Sequence, residues 1–123
     1  MVADDRVVSR IRDDGRGAVR TIAEYDRDDY EVLYVREDVE PRIDAIADQV
    51  HEELIIQELG RAHLEQMFGA GDLHCSMHRF DEVTAFHYIQ DGFSGLFVSV
   101  DSDADLPLAS FADTCRQQLE QLD

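Results

Sequence analysis

No lysine occurs in the chain, so all 11 basic residues are arginines, set against 28 aspartates and glutamates. The formal charge of −17 opposes compaction at physiological salt, whereas at molar salt the Debye length falls to about 3 Å and the repulsion is screened. This balance points to the cytosol of a salt-in halophile, with concentrated K+ as the folding medium. An acidic surface repels phosphates, and Arg6, Arg10, Arg12, Arg16 and Arg20 alternate with Asp4, Asp5, Asp13 and Asp14, which argues against nucleic acid as a partner. Long apolar runs are also lacking. Without a signal-like segment or a stretch of about 18 apolar residues, neither export nor membrane insertion is expected, and the reading is a cytoplasmic protein without a membrane partner. Cysteine is scarce as well: Cys75 and Cys115 are far apart in the sequence and fall on apolar faces, as reduced, buried thiols do.

The 123 residues match one domain, 1–123, able to bury one core. Asp4 or Asp5 can cap a short helix carrying Val7, Val8 and Ile11 on one stripe, closed near Gly15 and Gly17. Two runs rich in Val, Ile, Thr and Tyr then flank Asp26 to Asp29, predicting a β-hairpin in which Tyr30, Val32 and Tyr34 share a face. Pro41 suits a helix start, and no Pro or Gly follows until Gly60. Along this central helix Ile43, Ile46, Ala47, Val50 and Leu54 form a stripe that should cover the sheet, while Ile55, Ile56, Leu59 and Ala62 project to the opposite side. A second apolar side requires a second partner: either a bend near Gly60 turns it onto the molecule's own core, or it is a subunit interface. The glycines of "GAG" at 69–71 end the helix.

Three strands, "DLHCSMHRF", "EVTAFHYIQ" and "SGLFVSVDS", follow as a meander with turns at Asp81–Glu82 and Asp91–Gly92. A last helix repeats Leu108, Phe111, Ala112, Cys115, Leu119 and Leu122 at helical spacing. The expected fold is therefore α+β (α/β in the broad sense), one antiparallel sheet of about five strands with helices packed on it, in the order α-β-β-α-β-β-β-α.

The stretch "GDLHCSMHRF" gathers His74, Cys75 and His78. Strand alternation sends Cys75 to the face opposite the two histidines. A turn at Asp81–Glu82 would set His87 across from Ser76, within diagonal reach of both, so His74, His78 and His87 form a candidate Zn2+ site. The competing reading is an ordinary polar strand surface, with no cofactor at all. The acidic "DSDADLP" imitates the start of a calcium loop, but Leu106 and Ala112 stand where Gly and Glu are required; Asp105 reads better as a helix cap. No phosphate-cradling glycine loop and no nucleophile elbow is present. The pairs Glu52–Glu53 and Asp28–Asp29 are what 28 acids produce by number, and His51 and His63 read as solvent or interface residues. The expectation is a protein that is not an enzyme.

The stretches "DDYEVLYVREDV" and "GDLHCSMHRF" through "GLFVSVDSDADLPLASFADTC" resemble a family of short haloarchaeal proteins of unassigned function. The element order also resembles the roadblock and profilin-like domains. That second resemblance implies a five-stranded antiparallel sheet between helices and a non-catalytic homodimer or heterodimer that regulates small GTPases or scaffolds complexes, with its central helix at the dimer interface. It gives Ile55, Ile56, Leu59 and Ala62 a use as a homodimer interface. The alternative is a small-molecule or metal-binding sensor built on the His-bearing strands.

Overall fold

The computed structural model describes residues 5–90 and 92–120; the expected roles of Asp4, Asp91 and Leu122, and of the Ile43 side chain, lie outside the described residues. Helix α1 (Asp5–Gly15) leads into β1 (Val19–Tyr25) and β2 (Tyr30–Val35). Next come α2 (Glu40–Leu59), α3 (Arg61–Phe68), the meander β3 (Cys75–Arg79), β4 (Val83–Gln90) and β5 (Ser94–Asp101), and finally α4 (Leu108–Glu120). The five strands form a single antiparallel sheet in the order β2-β1-β5-β4-β3. The expected fold is thus present with one addition, the short helix α3. At Gly60 (φ −84°, ψ −5°) the amide bonds back to Gln57 O at 3.2 Å, a tightened turn at which one long helix becomes two. Helix α3 then stops at Gly69, where φ is +59°, a conformation that glycine adopts without steric cost.

The main core lies between the sheet and the α1/α4 pair. Alternation along the strands turns Ile22, Phe86, Tyr88, Leu96, Val98 and Val100 to that side. Ile11 of α1 and Phe111, Cys115 and Leu119 of α4 close over them, with Ile11, Phe111 and Cys115 fully buried. The amphipathic spacing read from the sequence thus sets which face of each terminal helix is covered. Asp105, expected to cap α4, lies in the loop before Leu108.

Helix α2 crosses the opposite sheet face. That face holds Thr21, Ala23, Tyr25, Ala85, His87, Phe97 and Ser99, as their pairing register requires. The hairpin departs from simple alternation. Tyr30 pairs with Tyr25 and Val32 with Ala23, but a bulge follows, and Tyr34 then pairs with Ile22. One extra residue in β2 moves Tyr34 to the α1 side, where the Arg12 guanidinium sits 4.1 Å from its ring centre. The expected sharing of one face by Tyr30, Val32 and Tyr34 therefore fails at Tyr34.

Candidate functional site

Helix α2 is tied to the sheet through its second half. Leu54 is buried, and two polar side chains add further fastenings. His51 donates its Nε2–H to the Asp26 carbonyl at 2.8 Å and stacks on Tyr30, with ring centres 6.0 Å apart. It therefore fastens α2 to the β1–β2 loop while staying partly exposed.

Six residues further along α2, Gln57 Oε1 lies 2.8 Å from His87 Nδ1, and His87 Nε2 lies 2.5 Å from the Tyr25 hydroxyl. The amide oxygen can only accept, which places the imidazole proton on Nδ1 and leaves Nε2 to accept from the Tyr25 O–H. Burial, helped by the nearby His78, holds His87 down to about 4, so the ring is neutral. Burial and then the Glu58 carboxylate raise Tyr25, while Arg61 opposes that effect. A neutral phenol donating to a neutral imidazole is self-consistent.

These bonds decide where the three candidate metal ligands stand. The expected register is observed, with Ser76 opposite His87 and His78 opposite Ala85. Yet His87 is only 2% exposed and commits both nitrogens to Gln57 and Tyr25. His78 lies on the exposed part of β3, and His74 precedes the strand. His74 lines a polar cleft of about 770 Å3 beside Glu58, Arg61, Glu65 and Asp72. Among the described residues no group of three His, Cys, Asp or Glu side chains could hold a metal ion.

The thiols are equally unreactive in kind. Burial pushes Cys75 up to about 11 and Cys115 up to about 12, which keeps both protonated and poorly nucleophilic. The two cysteines are free, as expected. In the acidic run, Asp101 receives Arg36 through two bonds of 2.7 and 2.9 Å and Arg20 through one of 3.0 Å. It clamps the ends of β1 and β2 to β5.

The most exposed apolar surface lies on the outer side of α2 and on α3. Ile55 is half-buried, but Ile56 is 51% and Leu59 66% exposed, and Ala62 is exposed too. The break at Gly60 therefore does not turn this stripe onto the molecule's own core. Helix α3 extends it with Met67 at 60% and Phe68 at 73% exposure. Sequence reading missed these last two, although their spacing from Ile56 and Leu59 along an interrupted helix was available. At the sheet edge, β3 leaves Met77 exposed and Phe80, just beyond the strand, is exposed as well.

A family model described as "Domain of unknown function (DUF7522)" matches residues 5–120. Among curated proteins none matches. Among solved structures the chain is similar to "Crystal Structure of Roadblock/LC7 Domain from Streptomyces avermitilis", with a TM-score of 0.62 and 15% identity over 98% of this chain and 95% of that one. At that identity the likeness shows the fold: a five-stranded antiparallel sheet with helices on both faces. No helix among the described residues is long and apolar enough to cross a membrane.

Proposed function

The chain belongs to the family described as "Domain of unknown function (DUF7522)", and from that premise and the geometry above we propose that it is a non-enzymatic protein-interaction or regulatory module that pairs with a second copy of itself through the outer side of α2 and α3. One observation carries the reading: four large apolar side chains, Ile56, Leu59, Met67 and Phe68, are each more than half exposed on consecutive helices. An isologous contact buries such a patch twice over and removes it from water. The roadblock-like fold supports the reading as a scaffold of the same architecture. So does the chemistry of the interior, where the thiols are protonated and the buried imidazole is neutral and bonded at both nitrogens. The charge of −17 without lysine supports a salt-rich archaeal cytosol as the setting, and apolar association is strengthened by some salts.

The test is the molar mass by light scattering in concentrated KCl. Wild-type protein is expected at twice the 14.0 kDa chain mass, and Leu59→Asp at the chain mass with an unchanged circular dichroism spectrum. Each dimer loses two leucine burials of about 1.5–3 kcal/mol apiece, which weakens association by at least about 100-fold. A monomeric wild type, or a variant as dimeric as wild type, refutes the interface.

A further inference from the structure

Fastened at His51 and Gln57, α2 stands away from the sheet along its first half, and a groove of about 760 Å3 opens beneath it. That volume falls within the range of small-molecule sites. Ile46, Ala47 and Val50 of α2 form one wall, while Val83, Ala85 and Phe97 lie on the strands beneath. All three strand residues retain partial exposure although a helix crosses their face.

Three hydroxyl-bearing residues, Thr21, Tyr30 and Ser99, interrupt the apolar lining, and two of them are paired. Thr21, 2% exposed, and Ser99, 6% exposed, lie side by side with Oγ1 and Oγ 2.5 Å apart. One proton suffices for the bond between them, and among the described residues the structure records no further bond to either hydroxyl. A second O–H and several lone pairs therefore remain for a third group, and leaving them unanswered in a dry environment is costly.

Charge narrows the class. Among the described residues the guanidinium that lines the groove, Arg20, is held by Asp101, while Asp81 and Glu82 are exposed and also line it. In a chain of charge −17 an anion gains nothing here. We propose that this groove binds an uncharged, mainly apolar small molecule carrying one hydrogen-bonding oxygen, with its apolar body between α2 and the sheet and its oxygen on the Thr21–Ser99 pair. An amphipathic peptide helix would lay only apolar side chains over those hydroxyls and leave them unsatisfied, which disfavours it. The groove is on the inner side of α2, so the inference does not rest on self-association through the outer side.

The test is a fluorescence titration with Nile red, an uncharged dye bearing a carbonyl oxygen, against the full chain in concentrated KCl. Expected is saturable binding of one dye per chain, displaced by 1-decanol and at least tenfold less well by decanoate. Placing rings in the groove with the double substitution Ala47→Phe/Ala85→Phe should weaken binding at least tenfold. Thr21→Val, close in shape and lacking the hydroxyl, should weaken it several-fold and covers the case in which the double variant fails to fold. Leu59→Asp should bind as wild type. Non-saturable binding overturns the proposal, as does decanoate competing as well as decanol, binding unaffected by Thr21→Val, or binding lost with Leu59→Asp. Displacement by an amphipathic helical peptide but not by decanol would assign the groove to a protein partner and equally refute it.

Discussion

Replacing His87 with glutamine removes a titrating group from the contact between α2 and the sheet while retaining a side chain able to hydrogen-bond. In the folded protein burial holds His87 at about 4, against 6.5 when exposed. As pH falls through that window the unfolded chain takes up a proton and the folded chain does not, so folding stability decreases on acidification. From the two values, this one group removes about 2.5 kcal/mol between roughly pH 7.5 and pH 4.5. The 28 carboxylates add their own pH dependence, which is common to wild type and variant and cancels in the difference. The assay is denaturant unfolding of both proteins in concentrated KCl at several pH values across the window. His87→Gln is expected to be less stable than wild type at neutral pH, because the Tyr25 and Gln57 bonds are remade imperfectly, and the gap should close by about 2.5 kcal/mol toward pH 4.5. Parallel stability curves would show that His87 titrates normally, and the argument for a sealed, neutral Tyr25–His87–Gln57 chain would fall with it.

Two further outcomes test the strand register and the ionic clamp. A methyl group on Gly95 would overlap the Tyr88 carbonyl oxygen and stand 2.9 Å from the Tyr25 hydroxyl, so Gly95→Ala should cost about 1–3 kcal/mol by thermal or denaturant unfolding, toward the upper end because backbone must move; a neutral result would contradict the β4–β5 register. Asp101, whose carboxyl is held below its usual range first by the Arg36 hydrogen bonds and then by Arg20, should cost about 1–2 kcal/mol as Asp101→Asn. Its contribution is present above the ordinary carboxylate range and is lost as pH falls through the lowered value. Concentrated salt should shrink the effect of Asp101→Asn, and an effect that grows with salt would refute the ion-pair account.

Much of the fold was legible because its signals are local. Helical spacing of Phe111, Cys115 and Leu119 predicted the buried face of α4, and all three are buried. The short turn after Phe80 fixed the β3–β4 register, so His87 lies opposite Ser76 as read from the sequence. The second apolar side of the central helix was legible as a misfit, and Ile56 and Leu59 are indeed exposed. Tyr34 was misplaced because a bulge adds one residue without marking the sequence. The His-rich stretch misled for a different reason: the partners that occupy His87 come from β1 and α2, 62 and 30 residues away, and no local spacing encodes them.

The sequence by itself determined the element types, the buried faces of the terminal helices, the charge that repels anions, and the presence of an apolar surplus on the central helix. These depend on composition and on periodicities of two and 3.6 residues, which act between neighbours in the chain. Only the tertiary structure decided that α2 is pinned at His51 and Gln57, that it stands off the sheet above Thr21 and Ser99, and that the surplus stays uncovered after the break at Gly60. Those outcomes turn on which distant groups satisfy a buried donor or acceptor and on how closely two surfaces can approach, and both are settled only when the whole chain has closed on itself.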